Sequence, residues 1–278
     1  MVRNDPPGHC SSEYHARMPG GRKNMTKKGK THKILDRITI KIRKVLSFHI
    51  YKKIRHVKPG HKIVTFTFDD CHETSISRGS KILENYKKNG TYYVSLGLCG
   101  EKNANGKFAD IGQIEDLIKN GHEIACHTYT HMDCCANNIE TVVSDCKNNR
   151  DGARSLYGVD MNSFSYPYGN ICPSVKKVLS KKYVTSRTVE PGINRNRIDL
   201  AALKSVSIYG KSGRTKCIKW LNRLDNKSGW LIFYVHDVMP RHSLYGCSEE
   251  LLDELIEKSI NKKFEILTIG EVIKKYII

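Results

Sequence analysis

Two acidic residues end the most strand-like run of this chain, and two histidines follow about sixty residues later. Asp69 and Asp70 come directly after the run Ile63–Phe68, and the histidines are His127 and His131. One carboxylate and two imidazoles form a ligand set for a divalent metal that leaves coordination positions open for water and substrate. The other carboxylate can then act as a base beside the metal. The pattern predicts a metal-assisted hydrolase.

Each motif also has a purely structural interpretation. An adjacent Asp pair can cap a helix or form a turn, and histidines four residues apart can share one helical face without binding a metal. Cys134 and Cys135 beside His131 can extend a zinc site. A closed, cysteine-rich site would be structural, however, and would leave Asp69 without a role. The clustering of these residue types favours a catalytic metal.

After the breaker Lys58-Pro59-Gly60, strand-like runs alternate with amphipathic helical runs. Such alternation predicts an α/β fold built from βαβ units, here a small, distorted (β/α) barrel of seven or eight strands. A flat, doubly wound sheet is the alternative. The predicted strands are Ile63–Phe68, Thr91–Leu98, Glu123–Cys126, Ser163–Tyr166, Tyr183–Thr188, Ser205–Tyr209, Leu231–Val235 and Phe264–Thr268. The predicted helices include Ile76–Lys88, Ile111–Lys119, Glu140–Leu156, Ser174–Lys181, Lys216–Leu224 and Glu249–Ser259.

Polar residues of catalytic type follow several of these strands. They are Asp69, Asp70, His127, Tyr168 and His236, and each lies at or just after the carboxyl end of a predicted strand. Active sites of barrel enzymes are assembled at that face, from residues of different strands. The topology therefore predicts one site built from all five.

Four segments resemble, in order and spacing, the motifs of the polysaccharide deacetylase family, the NodB-homology domain of carbohydrate esterase family 4. They are Thr67–Asp70, His127–His131, Tyr166–Gly169 and Val235–Asp237. The resemblance covers roughly residues 62–275 and implies removal of N-acetyl groups from an amino sugar of a polysaccharide or oligosaccharide. A catalytically idle glycan-binding module, and a hydrolase of another amide or of an O-acetyl ester, remain as alternatives.

Carried over residue by residue, the resemblance makes Asp70, His127 and His131 the ligands of one divalent metal ion. Zinc is expected, with cobalt, manganese and nickel as alternatives, and a carboxylate with two neutral imidazoles suits zinc on chemical grounds as well. Thr128 is the small hydroxyl residue expected to tie the ligand loop together.

The resemblance also implies the catalytic roles. Asp69 is the expected general base, and His236 is the expected general acid that protonates the leaving amine. Tyr168 would contribute its backbone N–H to the developing oxyanion, with Pro167 fixing the backbone before it. Taken alone, Tyr-Pro-Tyr-Gly is only a good turn, and a lone histidine after a buried strand is usually a core residue.

Two positions of the family motifs are filled differently or have no clear match in this chain. Ser165 stands where many members have an arginine that holds the catalytic Asp, and Arg187 is predicted to take over that contact. The Asp that would support the acid histidine has no clear match, with Asp199 and Asp237 as candidates. The predicted substrate-binding residues are Pro167, Cys71 and His72, and the last two are expected to line the sugar pocket.

The formal charge of +19 comes mostly from the first 60 residues, which hold 16 Lys and Arg against 3 Asp and Glu. The excess therefore indicates a basic N-terminal arm before a deacetylase domain at 61–278. The rest of the chain shows no nucleic-acid-binding motif, so no nucleic-acid partner is expected. The ten cysteines are expected to be mostly reduced and buried.

Within the arm, roughly the first 33 residues lack an apolar period and are predicted to be disordered. Residues 34–55 carry an apolar stripe with a spacing near 3.6 and Lys and Arg on the other face. This helix either lies on an anionic membrane surface or packs on the domain with its lysines in solvent. With no signal peptide or transmembrane run visible, we expect a cytoplasmic protein, in contact with the inner membrane surface if the first alternative holds.

Overall fold

The structure is a computed structural model that describes residues 42–103 and 105–278. Residues Lys41–Ile278 form one compact unit, and the description below concerns that unit. The strands are β1 (Ile54–His56), β2 (Lys62–Phe68), β3 (Thr91–Val94), β4 (Lys102–Asn103), β5 (Gly106–Lys107), β6 (Glu123–Cys126), β7 (Ser163–Ser165), β8 (Thr185–Arg187), β9 (Ile193–Asn194), β10 (Arg197–Asp199), β11 (Val206–Ser207), β12 (Gly229–Val235) and β13 (Glu265–Ile266).

Helices follow most of the sheet strands. They are α1 (42–49), α2 (π-helical Ser75–Ser80 continuing as Lys81–Asn85), α3 (Ile111–Lys119), α4 (Ile139–Tyr157), α5 (Pro173–Lys182), α6 (Gly213–Lys227), α7 (Glu249–Asn261) and α8 (Ile269–Tyr276). Short 3₁₀ turns lie at Leu96–Leu98 and Pro167–Gly169. No helix in the described part of the chain is long and apolar enough to cross a membrane.

The main sheet is parallel along the order β11-β12-β2-β3-β6-β7-β8. The segment before β11 then bridges back to β8, because Thr188 N–H donates to the Leu203 carbonyl at 2.8 Å and Arg187 pairs with Leu203 in parallel. The sheet therefore curls into the distorted barrel that the sequence predicted, rather than the flat alternative.

The two longest strands form the centre of this barrel. β2 and β12 pair in parallel over seven positions, and nearly every residue of both is buried. Strands covered on both faces read as nearly continuous apolar runs, which is the pattern of Leu231–Val235, while Ile63–Phe68 is interrupted by two buried threonines. The β2/β12 register matters for the site, because Phe68 pairs with Val235 and the next residues are Asp69 and His236.

The predicted strands and helices are all present, with ends shifted by a few residues. Ile111–Lys119 and Glu123–Cys126 agree at both ends. The largest difference is at Thr91–Leu98, where the strand ends at Val94 and a 3₁₀ turn follows. The nine cysteines of the described residues are free thiols, as expected, and seven of them are buried.

The helix predicted over 34–55 is shorter at its C-terminal end, and its residues before 42 lie outside the described part. α1 ends at residue 49, and Ile54–His56 is instead a strand paired with Arg197–Asp199. The strand forms because the main-chain N–H and C=O groups of β1 pair with those of β10. Helical periodicity in the sequence cannot reveal such a pairing between distant segments. The domain boundary predicted after Gly60 therefore lies inside the compact unit, and α1 and β1 belong to it.

Candidate active site

Polar residues meet where the central strands end. Asp69 N–H donates to the Val235 carbonyl at 2.9 Å, which continues the β2/β12 ladder and brings Asp69 beside His236. On the other side of β2, His127 follows β6, and its N–H donates to the Val94 carbonyl at 3.0 Å. The five residues predicted to converge at the carboxyl ends of the strands thus lie at that face.

Asp70 lies at the centre of a three-residue cluster. Its Oδ1 is 3.0 Å from Nε2 of His131 and 3.4 Å from Nε2 of His127. One ligand-type atom from each residue lies within 4.8 Å of the other two. The Asp70 backbone has a φ of 62°, a conformation that strands cannot contain, so the chain turns here and points the carboxylate at the histidines.

The fit of this cluster to a divalent ion can be judged from its donors. Oδ1 of Asp70 is buried, and no described residue makes a well-aligned hydrogen bond to it, although His131 Nε2 is close. A carboxylate oxygen and two imidazole nitrogens that converge without hydrogen-bonding one another suit a metal such as zinc, and three protein ligands leave positions open. Asp70, His127 and His131 therefore form a set that can hold such an ion.

Electrostatics ties the three groups together. Burial alone would raise the pKa of Asp70, but His131 and His127 outweigh it and hold that pKa well below its usual range. Burial lowers the pKa of His131, and the Asp70 carboxylate more than reverses this and raises it above the usual value. Without a metal, Asp70 is therefore stabilised as a carboxylate and His131 as an imidazolium.

A second layer of contacts sets the orientation of His127. Its Nδ1 lies 2.9 Å from the Ser165 carbonyl, which can only accept a hydrogen bond. In the neutral ring the proton therefore lies on Nδ1, and Nε2 is the nitrogen that can bind a metal. Metal-binding histidines are commonly fixed in this way by a backbone carbonyl.

The loop between the two histidines is held by Thr128 and Asp145. Thr128 Oγ1 accepts a hydrogen bond from Met132 N–H at 3.1 Å, so the expected tie across the loop is present. Asp145, on α4, accepts from the N–H groups of Tyr129 and Thr130 at 2.6 and 3.2 Å. Sequence reasoning missed Asp145, since nothing in its helical context distinguishes it from a surface carboxylate.

Arg187 makes the predicted contact with Asp69. Its Nη2 donates to both carboxylate oxygens of Asp69, each at 2.5 Å, and also lies 2.5 Å from Ser165 Oγ. β7 and β8 place Ser165 directly opposite Arg187. The small side chain at 165 therefore leaves the space through which an arginine from the neighbouring strand reaches Asp69.

The guanidinium of Arg187 is completely buried and enclosed by aromatic rings. Its central carbon lies 5.0 Å from the ring centre of Tyr93 and 4.8 Å from that of Tyr234. The pKa of Arg187 would fall on burial, but the adjacent Asp69 and the two tyrosines raise it instead. The arginine is therefore held as a cation against Asp69.

His236 is half-buried in a cage of two tyrosines. Its ring centre lies 5.8 Å from that of Tyr209 and 5.4 Å from that of Tyr245. Its Nδ1 is buried and has no hydrogen-bond partner among the described residues. Packing against aromatic rings, rather than a carboxylate, therefore orients this histidine.

The two aspartates considered as supports for His236 have other partners. Asp237 accepts hydrogen bonds from the N–H and Oγ of Ser243, which closes the loop after β12. Asp199 accepts from the buried amine of Lys176 at 2.5 Å and from Lys53 N–H at 2.8 Å. Neither contacts His236, so both expectations were wrong.

The Tyr166–Gly169 segment borders the cluster. The Tyr168 ring packs edge-on against His131, with ring centres 4.6 Å apart, and the side chain is 60% exposed. Its φ of 59° marks a tight turn after the buried Pro167. Tyr168 therefore lies between the cluster and solvent, where it can contact a bound ligand.

Cys71 and His72, predicted to line a sugar pocket, are each only 1% exposed. Cys71 packs in the main apolar core, and the His72 ring stacks on Phe108 at 5.0 Å. The chain turns inwards after Asp70, so these side chains lie behind the site and do not line its surface.

Comparison with known proteins agrees with this architecture. Residues 56–186 match the family model described as polysaccharide deacetylase. A bifunctional xylanase/deacetylase of Pseudobutyrivibrio xylanivorans is 32% identical over 109 residues, which is 39% of this chain and 17% of that protein. The matched segment is thus a small part of that relative.

Solved structures share the fold at low identity. The Xyl-CE4 domain of a multidomain xylanase from the hindgut metagenome of Trinervitermes trinervoides is 18% identical with a TM-score of 0.55, covering 78% of this chain and 91% of that one. A family 4 acetyl xylan esterase from Clostridium thermocellum, in complex with a cobalt ion, is 17% identical with a TM-score of 0.56, covering 77% and 91%. With the curled sheet, these likenesses show that the chain shares the fold of carbohydrate esterase family 4 structures, and its residues 56–186 are similar to the polysaccharide deacetylase family model.

Proposed function

We propose that this protein is a metal-dependent hydrolase that removes N-acetyl groups from an amino sugar of a polysaccharide or oligosaccharide. The observation that supports it most is that a possible metal site and a fixed carboxylate lie side by side at the same face of the barrel. The Asp70–His127–His131 cluster lies beside Asp69, a carboxylate clamped by a buried arginine. An idle glycan-binding module would need neither arrangement.

In this proposal Asp70, His127 and His131 hold one divalent ion, with zinc as the expected metal. When bound, such an ion polarises the acetyl carbonyl and makes water acidic enough to be deprotonated near neutral pH. The carbonyl of Ser165 keeps His127 in the ligating tautomer. Asp145 and Thr128 keep the loop of the ligands in place.

Asp69 is the proposed general base that accepts the proton of the attacking water. Arg187 donates hydrogen bonds to both oxygens of this carboxylate. The oxygen lone pairs that do not accept from the arginine therefore point away from it. A base held in one orientation loses no entropy as it takes the proton. The arginine itself remains outside the reaction and acts as a positioning residue.

His236 is the proposed general acid on the side of the leaving group. Attack of water forms the new C–O bond, and the C–N bond then breaks as the His236 imidazolium gives its proton to the amine nitrogen. An amide needs this proton because an unprotonated amine is a poor leaving group. The products are acetate and a sugar with a free amine.

Tyr168 is the proposed oxyanion donor through its backbone N–H, a role taken over from the family motif. A tight turn at Tyr168 next to the cluster supports this role, since the Tyr168 ring packs against His131. Donors aligned in advance with a developing oxyanion stabilise the transition state more than the ground state.

The function is tested by measuring acetate released after metal removal and reconstitution with zinc, cobalt or manganese. The panel comprises chito-oligosaccharides, N-acetylated glycan strands and O-acetylated xylan. Metal-dependent acetate release from an N-acetylated sugar supports the proposal. Release from the O-acetyl substrate alone would reassign the enzyme as an esterase, and glycan binding without acetate under all three metals would favour the idle module.

A further inference from the structure

The apolar stripe of α1 faces outwards. Five large apolar residues between positions 42 and 51 are between 37% and 58% exposed, namely Ile42, Val45, Leu46, Ile50 and Tyr51. The positions 42, 45, 46 and 50 repeat at helical spacing and so share one side of the segment. The alternative in which the apolar stripe packs on the domain and the lysines face solvent therefore differs from the observed arrangement, because the helix packs on the domain with a different side.

That inward side is anchored by polar contacts. The buried amine of Lys176 donates to the carbonyls of Ser47 and Ile50 at 2.6 and 3.0 Å, and Ser47 is fully buried. Phe48 packs against the main core. The segment is therefore fixed to the domain while its apolar stripe stays accessible.

A cavity of about 790 Å³ opens beside this stripe. Its apolar lining includes Val45, Phe48, Ile54 and Ile198, and its polar lining is rich in cations. The lining cations are Lys44, Lys52, Arg195, Arg197 and Lys204. Pockets of this size can enclose a ligand of several hundred daltons, and this one offers an apolar wall with a positive rim.

The positive charge at the cavity is not neutralised by its acidic neighbours. Of the two acidic lining residues, Glu190 pairs with Lys44 at 3.2 Å and Asp199 pairs with Lys176. Among the described residues, Lys52, Arg195, Arg197 and Lys204 have no carboxylate within ion-pair distance. Four cations therefore remain available next to an exposed apolar stripe.

We propose that this face, comprising the α1 stripe and the adjacent basic cavity, docks the enzyme on an anionic phospholipid membrane. The apolar side chains enter the interfacial layer, and the cavity cations bind lipid phosphate groups. Charge argues against two other occupants of this face, namely residues 1–41 of the same chain and a second copy of the protein, because both would bring further cations to it. Residues 1–41 hold ten Lys and Arg against three Asp and Glu, and a second copy would place the same cations against one another.

The test is co-sedimentation of the full chain with vesicles of phosphatidylcholine containing 30% phosphatidylglycerol, compared with phosphatidylcholine alone. We expect the partition coefficient to be about tenfold higher on the anionic vesicles and to fall as salt is raised. Leu46→Glu should lower it about tenfold, and so should Arg195→Glu/Arg197→Glu. Equal binding to both vesicle types would overturn the proposal.

Matched controls separate this face from general charge and hydrophobicity. Leu156→Glu replaces an exposed leucine of α4 that is 51% exposed, and Lys119→Glu/Lys147→Glu makes the same charge change at exposed positions of α3 and α4. Both controls should bind vesicles like the wild type. Loss of binding in the controls as large as in the face variants would contradict the proposal, as would a concentration-dependent dimer that Leu46→Glu dissociates. Unchanged melting temperatures and acetate release confirm that the variants are folded.

Discussion

Arg187 and Asp69, 118 residues apart, are joined by two hydrogen bonds from a single guanidinium nitrogen. The arginine ends β8 and the aspartate follows β2, so the contact crosses the interior of the curled sheet. Ser165, opposite Arg187 in the β7/β8 ladder, joins the same network. The orientation of the proposed base therefore depends on the closure of the barrel.

Replacing Arg187 should impair catalysis without removing the metal. Arg187→Lys keeps a charge but lacks the rigid planar guanidinium that packs on Tyr93 and Tyr234 and holds the donor against Asp69. We expect kcat to fall about 10- to 100-fold, the usual effect of losing an outer-shell partner. KM and metal content should stay close to wild type. Arg187→Met should also lower the free energy of unfolding by about 3–5 kcal/mol, because Asp69 is left buried and unpaired. Steady-state kinetics with metal analysis and denaturant titration measure these effects, and a large change in metal content with normal kcat would contradict the assignment.

Asp69→Asn removes the proposed base and little else. The amide is similar in size and cannot accept the proton, so kcat should fall about 10²- to 10⁴-fold. Metal content should not change, because Asp70 and the histidines remain. Acetate release and elemental analysis of the same preparation provide the check. Turnover at the wild-type rate would show that another group acts as the base.

His236→Asn should affect substrates according to their leaving group. An amine must be protonated to leave, whereas a phenolate leaves readily without a proton. We expect deacetylation of an N-acetyl sugar to slow about 10²- to 10⁴-fold, and hydrolysis of 4-nitrophenyl acetate to slow far less. Equal losses on both substrates would argue that His236 supports the fold or the binding of substrate rather than proton transfer.

Much of this site can be predicted from the sequence, for identifiable reasons. Ligand types and strand ends are local features, so one of the two aspartates could be grouped with His127 and His131 as a metal set, whereas the choice of Asp70 came from the family resemblance. Arg187 was found because it lies in a strand-like run and Ser165 left a role unfilled. Asp145 and the tyrosines around His236 depend on contacts between distant segments, which periodicity does not encode.

The same limit explains the errors. Asp237 and Asp199 were the candidates for supporting His236, but each instead accepts hydrogen bonds from another residue, Ser243 for Asp237 and Lys176 for Asp199. Cys71 and His72 were placed at the surface because they follow Asp70. The positive φ of both Asp70 and Cys71 turns the chain into the core instead.

Metal affinity should depend on pH through His131. Asp70 raises the pKa of this histidine in the metal-free protein, and a metal must displace the proton. Affinity should therefore weaken as pH falls, and the loss should begin at a higher pH than for a histidine with its usual pKa of about 6.5. The sign follows because the protonated form cannot bind the metal. Calorimetric zinc titrations between pH 5.5 and 8.5 measure the dependence, and a flat profile would contradict it.

Asp145→Asn should loosen the ligand loop. The carboxylate accepts from two backbone N–H groups and from Thr130 Oγ1, and an amide can satisfy only part of this set. Metal affinity should drop about 10- to 100-fold, as is usual when an outer-shell partner is lost. Asp151→Asn, an exposed carboxylate on the same helix, is the control and should bind zinc normally.

The central claim is that Asp70, His127 and His131 hold the ion on which hydrolysis depends. It is tested most directly by acetate release from an N-acetylated oligosaccharide after chelation and re-addition of one equivalent of zinc, with His131→Ala measured in parallel. The account predicts that chelated wild type is inactive, that one equivalent restores it, and that His131→Ala neither retains the metal nor recovers activity. Full activity in chelated wild type, or in metal-free His131→Ala, would contradict it.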